Sequence, residues 1–392
     1  MKECDKLLLD SLNSYMNGRT VNADFDAEAA MELIECSKMH KVFPIVYLKN
    51  SQSFEKAMDF QDFARIKTEV LVNVSAQIQR SAELVRVCSL LKESGISCIV
   101  FKGAVCRAMY ECPEYRISSD EDILVGAENI DKAAEILTAD GYELVNFKGG
   151  EAKLVSRRLN SILELHSSVV DEEVSDAYSE IGRMFRSQLE SPVMTDIGCG
   201  EIAAFSPSYG FLSLCVHFFN HFVRGGIGIR PLMDIACFIK KYENEIDFDF
   251  CFSVLGKISA EKLIKTVIAL CNRIFETDCK FAENEKTADM LLEDILSAGA
   301  YGTADESRLH SGTVTKSIAH GNKGGLSSAL SAVFPSDSDI VSAHPELEGR
   351  NAEIRKYRIK RIVGFAGRKG KIKVLQSTGK RKKLFKALGI IG

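Results

Sequence analysis

The stretch from Ser97 to Val125, SCIVFKGAVCRAMYECPEYRISSDEDILV, constrains the fold more than any other. Three apolar residues, Ile99, Val100 and Phe101, run into Lys102-Gly103-Ala104. A short helical segment follows, and Asp120 and Asp122 then open a second strand-like run, Ile123-Leu124-Val125. Alternate residues of a strand share a face, so the two aspartates project together, about 7 Å apart along a backbone that rises roughly 3.3 Å per residue. Like charges held that close repel unless a cation sits between them. Magnesium and similar hard ions take carboxylate oxygens and substrate phosphates as ligands. A glycine turn ahead of a helix, then paired aspartates on a neighbouring strand, suits metal-assisted nucleotidyl transfer. Glu121, between the pair, points to the opposite face and needs solvent or a partner there.

At 392 residues the chain exceeds the usual limit of one core, so two packed units are expected. No run of about 18 apolar residues occurs, so no membrane-spanning helix is expected. The opening MKECDKLLLDSLNSY carries acids inside its short apolar patch, so no secretory leader is expected there. Twelve cysteines are scattered without a CxxC pair. They read as buried thiols of a reducing compartment, which makes the expected location cytoplasmic. Charge is uneven along the chain. From Arg350 to the end there are fifteen Lys or Arg against one acid, Glu353, a net of +14, so the preceding residues carry −18 of the −4 total.

The fold class expected is α+β, a small mixed sheet flanked by N-terminal and C-terminal helical regions. Residues 1–95 read as helical, with apolar residues at helical spacing in Ala27, Ala30, Met31 and Ile34, and again in Val70, Leu71, Val74 and Ile78. Gly95 stops the second helical stretch. Residues 96–205 form the expected catalytic core. Within it, Asn129 to Asp140 is a helix ended by Gly141, and Tyr142–Phe147 and Ser161–Ser168 are strands. In the second strand Ile162, Glu164 and His166 share one face, and Leu163 and Leu165 the other. Residues 206–300 return to helix, over Tyr209–Phe222, Leu232–Tyr242, Ala260–Phe275 and Thr287–Leu296. Residues 301–345 are a Gly/Ser-rich linker with a short helix, and 346–392 a basic tail. Lys and Arg interleaved with apolar residues in that tail suit an anionic membrane surface, such as the inner membrane face, or RNA. The alternative is docking onto the acidic body.

The chain resembles the uncharacterised nucleotidyltransferase family of bacteria, within the DNA polymerase beta-like superfamily. Phe101-Lys102-Gly103 stands at the family's turn, and Arg116 precedes the acidic pair at the family's spacing. Asp120-Glu121-Asp122-Ile123-Leu124-Val125 matches its acidic strand, and Leu163-Glu164-Leu165-His166 the strand bearing its third carboxylate. Val216-His217 through Gly228-Ile229-Arg230-Pro231-Leu232-Met233-Asp234-Ile235 resembles its helical half, and Val333-Phe334-Pro335-Ser336 a late landmark. The resemblance spans roughly residues 30 to 360.

The resemblance implies an enzyme that moves a nucleoside monophosphate from a nucleoside triphosphate to a hydroxyl acceptor, releasing pyrophosphate. Asp120, Asp122 and Glu164 would be its catalytic residues and hold two magnesium or manganese ions. Lys102, Gly103, Ala104 and Arg116 would hold the triphosphate, the glycine by letting the backbone approach and Arg116 in bidentate form. Gly103 reads equally well as a plain turn, and Lys102 and Arg116 as pairing residues. His166, His217, Arg230 and Asp234 are assigned to an acceptor pocket or to outer support of the metals. Arg230 and Asp234, at i and i+4, also read as an ion pair. His217 and His221 share a helix face without the glutamate of an HExxH site. The acceptor is a sugar or small alcohol, a protein, or an RNA end. The alternatives are a carboxylate-metal phosphohydrolase and a nucleotide- or partner-binding module without turnover.

Overall fold

The computed structural model describes residues 2–21, 23–156, 161–283, 285–300 and 379–391. The predicted linker, most of the basic tail and the Val333–Ser336 landmark lie outside these residues.

Four helices open the chain: α1 (Glu3–Met16), α2 (Ala27–Met39), α3 (Phe43–Ala57) and the 34-residue α4 (Phe60–Glu93). Asp26 and Asp59 cap α2 and α4, their carboxylates accepting from the Ala29 and Asp62 amides. α4 ends where the sequence places its stop. Gly95 adopts φ 76°, which lets the Ile96 amide reach back to the Leu91 carbonyl and buries Ile96 against the helix.

The sheet region follows: β1 (Ile99–Phe101), α5 (Gly103–Arg107), β2 (Glu121–Leu124), α6 (Ile130–Ala139), β3 (Glu143–Lys148), β4 (Glu151–Ser156) and β5 (Ser161–His166). The strand order is β1-β2-β5-β4-β3. β2 and β5 pair in parallel and the other neighbours antiparallel. One face is packed. Ile123, Ala152, Leu154, Leu163 and Leu165 meet Leu84, Val87 and Leu91 of α4 and Ala133 and Leu137 of α6. Burial alternates strictly along β4 and β5, as a sheet covered on one side requires. The sequence reading has no strand at β4, because the segment's Glu, Lys and Ser masked its Ala152, Leu154 alternation.

Then come α7 (Asp176–Ser187), a hairpin of β6 (Val193–Asp196) and β7 (Glu201–Ala204), and helices α8 (Pro207–Arg224), α9 (Ile229–Tyr242), α10 (Phe248–Gly256), α11 (Glu261–Phe275) and α12 (Glu285–Ala298). Four of these five late helices match the sequence reading, and α10 is added. All twelve cysteines are free and nine are buried. Among the described residues no helix is long and apolar enough to cross a membrane.

The chain divides into two compact units. One comprises Met1–Val216, Arg230–Glu261 and Ile268–Ala282, and holds the sheet. The other comprises His217–Ile229, Lys262–Val267 and Glu283–Gly392.

In the second unit, residues 379–387 form a helix. Leu384, Phe385 and Leu388 are buried, and the Phe385 ring lies 5.3 Å from Phe222. Arg381 is 1% exposed. It donates to the Phe222 carbonyl, lies 3.8 Å from Asp294, and covers both phenylalanine rings. The described end of the basic tail is therefore a packed element of this unit. Apolar residues at helical spacing give it something to bury. Ending the chain before residue 379 will uncover this cluster. With about 1.5–3 kcal/mol per large side chain lost from burial, the thermal midpoint should fall by many degrees. An unchanged midpoint would show that the helix adds nothing.

Candidate active site

Strand register builds the site. Asp122 pairs with Phe101 of β1 on one side and Glu164 of β5 on the other, and Leu124 pairs with His166. β4 sets Lys153 opposite Glu164 and Glu151 opposite His166. Register partners share a face. Asp122, Glu164, His166, Lys153 and Glu151 therefore stand together on the face opposite the apolar core.

Ligand atoms of Asp122, Glu164 and His166 all lie within 4.8 Å of one another. Lys102 Nζ donates to Asp122 Oδ1 at 3.0 Å, and His166 Nε2 lies 2.9 Å from the same oxygen. Lys153 Nζ donates to Glu164 Oε1 at 2.7 Å. That hydrogen bond holds the Lys153 ammonium above lysine's ordinary range, with smaller contributions from the charges of Asp120 and Glu151. The His166 ring meets the Phe101 ring edge-on at 5.4 Å, and its Nδ1 lies 3.9 Å from Glu151 Oε2.

Asp120 stands apart from this group. β2 begins at Glu121, so Asp120 precedes the strand. Its charge is felt by Lys41, Arg80 and Lys153. Lys102 closes β1 with φ 59° and ψ −108°, a conformation that costs a non-glycine residue on the order of 1–3 kcal/mol. The turn it makes delivers its ammonium to Asp122.

Glu121 finds the partner its position demands. It faces the core at 1% exposure, and Arg107 Nη2 of α5, itself 2% exposed, lies 2.7 Å from its Oε1. Arg107 Nη1 also donates to Ser118 Oγ at 2.6 Å, and Ser118 N donates to Gln77 of α4. This buried pair explains Gly103. A β-carbon there would come 2.6 Å from Glu121 Oε2 and 3.4 Å from the Asp120 carbonyl. The missing side chain of Gly103 thus points at Glu121, in keeping with its reading as a plain turn, and Ala104 is fully buried. Gly103→Ala should cost about 1–3 kcal/mol of stability by overpacking. A thermal midpoint unchanged by that substitution would show that Glu121 moves aside freely.

Arg116 and Asp234 are brought together, each to the other. Arg116 Nε and Nη2 donate to the two Asp234 oxygens at 2.9 and 2.7 Å, and Tyr110 donates to Oδ1 at 2.8 Å. Both side chains are buried. The bidentate partner of Arg116 is thus a carboxylate of the protein itself, in keeping with its reading as a pairing residue. The i, i+4 pairing read between Arg230 and Asp234 survives as an interaction of charge. Asp234 bonds to Arg116, while Arg230 Nη1 donates to the Ile117 carbonyl at 2.8 Å. Burial alone would raise the Asp234 carboxyl. Arg116 outweighs it, helped by Arg230 and Tyr110, and holds the group below the usual carboxylate range. These bonds tie the 113–118 segment, which leads into β2, to α9. His217 and His221 belong to the second unit, their rings 4.3 Å apart on α8.

The model of an uncharacterised nucleotidyltransferase family matches residues 26–276. The chain belongs to that family. None of the curated proteins matches it. The matched range takes in every residue of this family member's acidic cluster, the Lys102 turn and the Arg116–Asp234 pair. Two carboxylates and an imidazole, part-buried and converging, form a donor set that a divalent cation fits. Lys153, Glu151 and Arg107 escaped the sequence reading. The alternation Glu151, Lys153, Val155 along β4 was the available signal for the first two. Arg107 carries none, because its partner follows fourteen residues later in the chain.

Proposed function

We propose that this chain transfers a nucleoside monophosphate from a nucleoside triphosphate to a hydroxyl acceptor and releases pyrophosphate. The observation that carries this reading is the Asp122–Glu164 register pair, with converging ligand atoms, in a chain of a nucleotidyltransferase family. Asp122 and Glu164 would hold divalent metal, with Asp120 just ahead of the same strand. Bound metal would neutralise charge on the attacking and leaving oxygens of an in-line displacement.

The chain's own residues do the rest. Lys102 and Lys153 neutralise the carboxylates in the absence of metal, and each ammonium is placed to turn to phosphate oxygens when the carboxylates are engaged elsewhere. The strained turn at Lys102 sets the reach of the first; β4 sets that of the second. A cavity of about 170 Å³, lined by Phe101, Lys102, Phe205, Ser213, Phe238 and Tyr242 among others, shares Lys102 with the cluster. Its mainly apolar walls suit the body of an acceptor whose hydroxyl faces Lys102.

Incubating the chain with a nucleoside triphosphate labelled at the α-phosphate, Mg2+ or Mn2+ and an extract of small molecules, protein and RNA tests the reading. A labelled product larger than the nucleotide is expected. Free nucleoside monophosphate alone would mean hydrolysis. A second reading, nucleotide binding without turnover, is favoured by one observation: both carboxylates already have a lysine partner. Nucleotide bound with neither product formed would establish it.

A further inference from the structure

We propose that His166 is a metal ligand, and that the Asp122–Glu164–His166 site takes a first-row transition cation such as Mn2+ in preference to Mg2+. The inference deepens the nucleotidyl-transfer reading by naming the ion, and rests on that reading only for the ion's purpose. The sequence assigned the metals to three carboxylates. The structure instead converges two carboxylates and one imidazole, with Asp120 outside the 4.8 Å group. Imidazole nitrogen is a better donor to transition cations than to Mg2+, which prefers oxygen in near-ideal octahedral geometry.

The second observation is the other side of the ring. Histidines that bind metal almost always present their second nitrogen to a carboxylate, carbonyl or water, which fixes the tautomer and aims the ring. His166 has a carboxylate on that side, at ionic and not hydrogen-bonding distance. Nε2 faces Asp122 at 2.9 Å, and Nδ1 faces the Glu151 carboxylate at 3.9 Å, a water-bridged or loose ionic distance. The Glu151↔His166 register of β4 and β5 places that carboxylate, and the Phe101 ring braces the imidazole from a third side. Glu151 is half exposed and reaches the cluster through His166 and through its charge on Lys153, so it is a positioning residue. A histidine serving only to hold Asp122 would need no such second carboxylate.

The test titrates the full chain with Mn2+, reading the free ion by electron paramagnetic resonance, and repeats it against competing Mg2+. Expected are Mn2+ binding at least about tenfold tighter than Mg2+ binding, and nitrogen coupling from an imidazole in the bound-Mn2+ spectrum. His166→Gln should abolish the nitrogen coupling and erase most of the preference, leaving Mg2+ affinity near its original value. Glu151→Gln should weaken Mn2+ by about tenfold, the usual effect of removing a carboxylate behind a ligating histidine. Its half-exposed position keeps the test available if His166→Gln does not fold. Equal affinity for the two ions, nitrogen coupling that survives His166→Gln, or no Mn2+ binding at all overturns the proposal. A chain that binds Mn2+ through His166 yet transfers no nucleotide refutes the transfer reading and leaves this inference standing. Transfer without nitrogen coupling does the reverse.

Discussion

Asp122→Asn should lower nucleotidyl transfer at least about a hundredfold while leaving the protein folded. Asp122 is the meeting point of the site: Lys102 and His166 both contact its Oδ1, and Glu164 is its register partner. Removing one group that stabilises transition-state charge typically costs two to three powers of ten in rate. Asparagine keeps the shape and one acceptor oxygen, so Lys102 retains a hydrogen bond and the strand its packing. The thermal midpoint should therefore stay close to that of the unmodified chain. Single-turnover transfer of a labelled nucleotide, measured on material checked for folding, decides the matter. A variant at full rate would remove Asp122 from the chemistry. The same assay on Asp120→Asn shows whether the acid just ahead of β2 acts with the cluster, as the family resemblance implies.

The largest effect on stability is expected at Asp234→Ala. This substitution strands the Arg116 guanidinium, buried with two of its nitrogens committed to Asp234, and leaves the Tyr110 hydroxyl without its acceptor. Breaking a buried ion pair by removing one member typically costs about 3–5 kcal/mol, because an uncompensated charge remains. That is a large share of the stability of an ordinary domain. Urea unfolding should show a midpoint far below that of the unmodified chain. The double variant Arg116→Met, Asp234→Leu should recover much of the loss, since it removes both members of the pair, and Arg230 keeps its bond to the Ile117 carbonyl. If the single variant unfolds where the unmodified chain does, the pair is not the tie between the 113–118 segment and α9.

The same pair sets an acid limit. Asp234 is held below the usual carboxylate range, so folding favours its ionised form. Its contribution is complete above the unfolded carboxyl's value of about 3.9 and is lost as pH falls through the lower folded value. Acid unfolding of the unmodified chain should therefore be steeper below about pH 4 than that of the double variant, which has no carboxyl to protonate there.

Much of the fold was written in local pattern. The helical first 95 residues, the stop at Gly95, the helix ended by Gly141 and the alternation of Ser161–His166 all follow from periodicity and turn chemistry, which act within a few residues. Alternation also put Glu164 and His166 on one face of their strand, while the link of that strand to the acidic one was implied only by the family resemblance. Partnership across the chain was not legible. Glu121 needed a partner, and only the folded chain shows that Arg107 supplies it and that Gly103 is glycine to leave that carboxylate room. Arg116 read either as a phosphate clamp or as a pairing residue; the fold pairs it with Asp234, more than a hundred residues away, a partner that local pattern does not name. His166 read as outer support, and the sheet sets it in the cluster with Glu151 behind it. Strand faces follow from a period of two residues and can be read from the chain alone. Which charge neutralises which depends on distances between segments remote in sequence, and those exist only once the sheet and its flanking helices have closed.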